Sequence, residues 1–428
     1  MPKIAMIGAG STVFAYRLTC DILSFPELED SVLALVDVNP DNLELSTQLV
    51  CKAIEQEGLP AQVISTDDRR KALDGADYVI AMFRVGGLEA IRPDLEIPRR
   101  YGVDQSVGDT LGPGGILYGL RHIPILMGIC QDMQELCPDA LLMNYANPMA
   151  AGCWAINRAT NIANVGLCHS VQGTSKQLAS YIGAPLDEIT YWAGGINHMD
   201  WFLRFEWNGE DAYPLLLEAM ENPEIYAKDP VRFEIMRHFG HFVSESSGHM
   251  SEYVPYFRRT PELMERYSLK SRDVDANLSR RENHYQEIRK RLASDEPLEF
   301  HRTHEYCSRI IHAMETNTPY LFYGNVENTG LITNLPDRSC VEVPCLVDAT
   351  GLHPCHVGEL PPQCAGLNRT NISVQELIVK AALEGDRDAV YQAMALDPLT
   401  AALLPLDKVR NMADELLAAS APMLPQFA

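Results

Sequence analysis

The sequence predicts an α/β protein, a doubly wound N-terminal sheet with an α+β domain packed against it, and three observations carry that prediction. Short apolar runs alternate with helical patterns from Lys3 to Cys168, the rhythm of parallel strands joined by crossover helices. The first run, Lys3–Ile7, ends on Gly8-Ala9-Gly10-Ser11-Thr12 and passes directly into a helical stretch over 13–23. From about Trp201 the alternation fades into helical patterns over 214–220 and 231–242. The expected organisation is therefore a Rossmann-like dinucleotide-binding domain over 1–195 and an α+β domain over 196–428 that carries substrate, metal and oligomer contacts. No low-complexity linker separates them, so the cleft between the two is the expected active site.

Each element adds a reason. Gly8 permits a tight turn and Gly10 a close approach of backbone to a pyrophosphate, while the amides of the following helix hold the anion. Val13 stands where the third glycine of the dinucleotide fingerprint would be. Val32–Val36 is a second buried strand ending at Asp37, somewhat beyond the usual spacing of about 20 residues to the ribose-binding acid. A carboxylate there favours NAD, with its ribose hydroxyl, over a 2′-phosphate, so Gly8, Gly10, Ser11, Thr12 and Asp37 form the expected cofactor set. Pro40–Glu57 reads as a helix, Gln62–Thr66 as an edge strand, 68–73 as a short helix and 78–82 as the next buried strand. Arg84 follows that strand's carboxyl end, within reach of cofactor or substrate.

Residues 109–115, Asp-Thr-Leu-Gly-Pro-Gly-Gly, read as a loop too glycine-rich for a helix, opening into one over 116–130. Asp109 and Thr110 stand there beside backbone that a ligand can approach. A strand over 140–145 runs into Asn147-Pro148, where the proline restricts Asn147 to extended conformations and fixes an amide for a substrate hydroxyl or a nicotinamide. The short strand over 164–170 ends in Cys168-His169, and His198 follows in Gly195-Ile196-Asn197-His198. One thiolate and one imidazole at strand ends make a two-ligand divalent site open to substrate. Structural zinc is excluded, since paired spacings such as C-x-x-C are missing. Later come a charged, solvated helix over 270–292, helices over 305–316 and 374–383, and a strand over 339–348.

Composition removes other classes. With 428 residues, 46% of them hydrophobic, the chain buries a large core. A net charge of −23 argues against nucleic acid or anionic membrane as partners, and a small molecule is expected instead. No bilayer-spanning stretch or signal peptide is legible, and the eleven cysteines show no paired spacing, so the expected compartment is cytoplasmic, with free thiols.

Taken together, Gly8-Ala9-Gly10-Ser11-Thr12, the 109–115 loop, Asn144-Tyr145-Ala146-Asn147-Pro148-Met149, Gly166-Leu167-Cys168-His169-Ser170 with Gln172-Gly173, and Gly195-Ile196-Asn197-His198-Met199 resemble the family 4 glycoside hydrolases. The resemblance is nearest the α-galactosidase branch of melibiase type. It resumes in Gly248-His249-Met250-Ser251-Glu252-Tyr253, in Tyr323-Gly324-Asn325-Val326 and in Val341-Glu342-Val343, and so covers nearly the whole chain. It implies NAD-dependent chemistry outside the two-carboxylate scheme. C3 of the sugar is oxidised, C2 deprotonated, the C1 substituent eliminated, water added, and the hydride returned. It also implies Mn²⁺ or another divalent metal on Cys168 and His198, completed by sugar oxygens, and a tyrosine base that maps onto Tyr253, with Tyr256 and Glu252 as rivals. Where some relatives carry an aspartate after the metal cysteine this chain has His169, so His169 and Asp109 are both candidate acids. Asn147 matches the substrate-binding asparagine, and a homodimer or homotetramer is expected. An α-galactoside is the leading substrate. A galacturonide or glucuronide, met by Arg84 or Arg121, and an α-glucoside are alternatives, and a hydroxy-acid dehydrogenase is the alternative of another class.

Overall fold

The computed structural model describes residues 1–424 and 427. Its first half is built from six parallel strands: β1 (Lys3–Ile7), β2 (Val32–Val36), β3 (Gln62–Thr66), β4 (Tyr78–Ala81), β5 (Leu141–Asn144) and β6 (Asn164–Gly166), in the order β3-β2-β1-β4-β5-β6. The apolar runs form strands because both faces are covered by crossover helices: every residue of β4 and β5 is buried, as are four of five in β1 and β2. Strand order reverses direction between β1 and β4, which opens a crevice at their carboxyl ends. The outermost strand, β3, is the half-exposed one, as its polar composition predicts.

The second half extends the same sheet. β7 (Ile189–Ile196), β8 (Met199–Trp207), β9 (Glu210–Asp211), β10 (Tyr320–Glu327), β11 (Cys340–Asp348) and β12 (Gly351–Pro354) add antiparallel strands in the order β6-β10-β11-β7-β8-β9, with β12 paired to β11. The joint between halves is narrow, a single register pair between Asn325 and Gly166. Helix Met149–Ala159 and helix Pro362–Glu384 pack across it, and one apolar core continues from β1 into Val341, Val343 and the C-terminal helices.

The glycine-rich segment corrects the sequence reading. The helix begins at Gly112, inside the expected loop, and runs to Leu136. Gly114 and Gly115 are chosen for close packing rather than for coil: a Cβ on Gly115 would stand 2.3 Å from the Thr110 carbonyl carbon, and one on Gly114 2.6 Å from the Gly108 oxygen. Proline in its first turn costs nothing there, because that amide has no intrahelical partner. Arg121 on this helix is also corrected. It is fully buried and its two terminal guanidinium nitrogens are spent on Asp94, so it does not reach a substrate carboxylate. Arg121→Ala would strand the Asp94 charge in the core, and the expected loss of about 3–5 kcal/mol is readable by urea denaturation.

Candidate active site

The crevice between β1 and β4 is lined by strand ends. Gly8 adopts φ +94 and lies against Phe83, where an added Cβ would stand 2.6 Å from the Phe83 Cα. Asp37, at the end of β2, accepts the Gly10 amide at 2.8 Å through one oxygen and the Asn39 amide at 2.8 Å through the other, and so holds the turn in shape. Helix Thr12–Leu23 starts at Ser11, whose hydroxyl caps nothing, with no acidic residue in the first turn. The Ser11 and Thr12 amides donate to the Gly8 and Gly10 carbonyls, which leaves the Val13 and Phe14 amides and the Ser11 hydroxyl for an anion, a cradle that fits a dinucleotide pyrophosphate. Thr12 itself is buried.

Beyond β5 and β6 the chain assembles three metal-ligand types. Ligand atoms of Cys168, His198 and Glu245 all lie within 4.8 Å of one another. Cys168 follows β6; His198 sits in the turn between β7 and β8; Glu245 precedes helix Ser247–Tyr253. His198 and Glu245 both hold left-handed backbone, φ 64 and φ 74, a conformation that costs free energy in any residue but glycine and turns both side chains inward. The two ring nitrogens of His198 face different neighbours. Nε2 is 3.6 Å from Glu245 Oε2, and Nδ1 is 3.0 Å from the Tyr253 hydroxyl and 3.4 Å from Thr110 Oγ1. His249 stacks on His198 at 4.7 Å, and its Nδ1 lies 2.9 Å from the other Glu245 oxygen.

Electrostatics follow from burial. Burial, then Glu342 and Glu245, push the Cys168 thiol well above its ordinary range, so a cation must displace its proton before the sulfur can bind. Burial also opposes ionisation of Glu245, yet His198 and His249 hold its carboxyl far below the usual range. Burial and the neighbouring Glu252 raise the Tyr253 phenol well above its ordinary value. Behind the sulfur, Asp200 and Glu342 are buried with no hydrogen-bond partner on any carboxylate oxygen, and burial drives both carboxyls upward.

A second group faces the same space. Thr110 Oγ1 donates to Asp109 Oδ1 at 3.1 Å and the Asn147 amide donates to it at 3.4 Å, while Asn147 Oδ1 is buried without a partner. Arg84 Nη2 stands 4.0 Å and Arg272 Nη1 3.9 Å from Asp109 Oδ2. Burial would raise the Asp109 carboxyl, but the positive charges of His249, Arg84 and Arg272 outweigh it and hold the group below its ordinary range. His169 stands on the outer side, its side chain 54% exposed, with Nε2 2.6 and 2.7 Å from the two oxygens of buried Glu305.

The structure brings together Cys168, His198, Tyr253, Asp109, Asn147 and Arg84. The rivals of Tyr253 are otherwise engaged: Glu252 accepts the amides of Val107 and Gly108 and the Gln105 side chain, and Tyr256 is 43% exposed beside Phe239. Sequence reading missed Glu245, His249, Arg272 and Glu305. Only His249 left a signal, as a member of the motif over 248–253, to which no role was given.

The chain is similar to known proteins over its whole length. Residues 3–184 match the family described as family 4 glycosyl hydrolase, and residues 193–400 match the family 4 glycosyl hydrolase C-terminal domain. The chain is 44% identical to an α-galactosidase of Bacillus subtilis (strain 168), all of both chains being covered. It is 40% identical to an α-galactosidase of Rhizobium meliloti (strain 1021), covering all of this chain and 90% of the relative. Among solved structures, a 6-phospho-α-glucosidase from gut microorganisms in complex with NAD and Mn²⁺ superimposes with a TM-score of 0.84 at 21% identity, covering 99% of each chain.

Proposed function

The chain belongs to the family 4 glycosyl hydrolases and is a glycosidase, and from that premise we propose that it is an NAD- and divalent-metal-dependent α-galactosidase. The observation that carries this reading is the convergence of Cys168, His198 and Glu245, with the Tyr253 hydroxyl 3.0 Å from the far nitrogen of the same imidazole. The full-length α-galactosidase relatives support the sugar. One sulfur, one nitrogen and one carboxylate oxygen would hold an ion of Mn²⁺ type and leave room for sugar oxygens. When bound, NAD⁺ supplies a hydride acceptor for C3 of the sugar and the ion supplies Lewis acidity at the C3 oxygen.

The chain's own groups do the rest. Tyr253 removes the C2 proton, and His198 links the phenol to the metal ligands through its two nitrogens. Asn147 offers its unpartnered Oδ1 to a sugar hydroxyl from beside Asp109, which Arg84 and Arg272 keep ionised. An ionised Asp109 is a poor proton donor, so we assign the leaving-group proton to His169, oriented by Glu305. Arg84 contributes to sugar binding by holding Asp109 in place.

The test is hydrolysis of p-nitrophenyl α-galactoside with NAD⁺ and Mn²⁺, monitored for nitrophenol and for net NADH together. Nitrophenol release without NADH accumulation is expected; accumulation of NADH would select a dehydrogenase, and release independent of NAD⁺ would remove the redox step. Asp37→Ala separates the cofactor from the metal. NAD⁺ affinity is expected to fall about ten-fold as the turn loses its two amide contacts, with Mn²⁺ affinity retained in a titration of each. Equal loss of both would count against this division of labour.

A further inference from the structure

The helix Val274–Ala293 is charged along most of its length and has no part in the chemistry above, yet its seam is not aimed at solvent. Tyr285 and Ile288 pack with Leu45, Leu49 and Ala53 of helix Pro40–Glu57, beside the N-terminal half. Tyr285 also reaches the glycine turn itself, where its hydroxyl donates to the Gly10 carbonyl at 3.1 Å. One helical turn earlier, Arg281 lies on the Tyr285 ring, its Cζ 5.4 Å from the centroid and Nη2 3.4 Å from the hydroxyl. Its Nη1 is 3.6 Å from where a Cβ of Gly87 would stand. The guanidinium therefore hangs between the two glycine turns that border the crevice, Gly8 to Gly10 after β1 and Gly86-Gly87 after β4. Among the described residues its one side-chain hydrogen bond is to the Tyr285 hydroxyl, and it pairs with no carboxylate. In a chain of net charge −23, an arginine without a carboxylate at that spot is conspicuous.

We propose that Arg281, braced by Tyr285, clamps the pyrophosphate of the bound dinucleotide, so that the C-terminal half of the chain closes over a cofactor seated on the N-terminal half. The clamp rests on the NAD reading given above. A planar guanidinium opposite the helix amides would grip the phosphates from the side the glycine turn leaves open. The aromatic ring beneath it keeps the fork pointed at the turn and lowers the entropy lost on binding.

The test is calorimetry on the full chain with NAD⁺, ADP-ribose and, by competition, adenosine, for the wild type, Arg281→Gln, Arg281→Lys and Tyr285→Phe. Arg281→Gln is expected to weaken NAD⁺ and ADP-ribose alike by about ten-fold or more, with adenosine affinity and melting temperature unchanged. The wild-type affinity should fall with added salt and the variant's should fall less. Arg281→Lys should recover part of the loss, and Tyr285→Phe should give a smaller one. Unchanged NAD⁺ affinity in Arg281→Gln, or an equal loss for adenosine, overturns the clamp and leaves the glycosidase reading standing. A wild type that binds no NAD⁺ overturns the cofactor reading and the clamp with it.

Discussion

Cys168→Ser is expected to remove metal-supported turnover while NAD⁺ affinity stays within about two-fold of wild type. Serine preserves the size of the side chain but not its chemistry, because a hydroxyl at neutral pH does not give up its proton to become an anionic ligand. The loss in Mn²⁺ affinity should exceed the roughly 10–100-fold typical of removing a partner that only orients a ligand. A second readout comes from the thiol itself. Burial and the neighbouring Glu342 and Glu245 keep it protonated in the free protein, so each ion bound must release that proton. Wild-type Mn²⁺ affinity should therefore rise with pH by about ten-fold per unit below the thiol pKa, and Cys168→Ser should flatten that slope. Since Asp37 and Gly10 lie at the other end of the crevice, their amide contact is untouched by the change. Unaltered metal affinity in the variant would refute the ligand assignment.

The parts of the fold that were legible in the sequence are those set by local pattern. Lys3–Ile7, Val32–Val36, Pro40–Glu57 and Gln62–Thr66 stand where apolar period and turn residues put them. The joint between β6 and β10 was not legible, because Gly166 and Asn325 are 159 residues apart and nothing local encodes their pairing. The same holds within the site. Cys168 and His198 announce themselves by residue type at strand ends, whereas Glu245 is one carboxylate among many in a serine-rich turn. It becomes a ligand candidate only because left-handed backbone turns it onto His198. Gly114 and Gly115 misled for a related reason: glycine marks close approach as readily as it marks a turn, and only the packed Thr110 and Gly108 backbone tells the two apart.

Tyr253→Phe is expected to lower kcat by about 10²–10⁴-fold, the range for losing a positioned base, with fold and metal affinity retained. The ring is buried in the core and phenylalanine fills the same space, so stability should change little. The argument that Tyr253 is a base has to meet its electrostatics: in the free protein, burial and Glu252 keep the phenol protonated well above neutral pH. A divalent cation held by Cys168, His198 and Glu245 would reverse that balance. Its two positive charges would favour the phenolate, since His198 is a member of that ligand set and its Nδ1 is 3.0 Å from the phenol oxygen. On the proposed reading Tyr253 would act as a base only in the loaded enzyme, which would couple proton abstraction to a correctly filled site. The separating measurement is exchange of the C2 hydrogen of galactose in heavy water with NAD⁺ and Mn²⁺ present. Wild type should wash deuterium into C2, and Tyr253→Phe should lose this exchange in proportion to kcat. Exchange at the wild-type rate in the variant would move the base to another group, and Asp109, held ionised between Arg84 and Arg272, would be next in line.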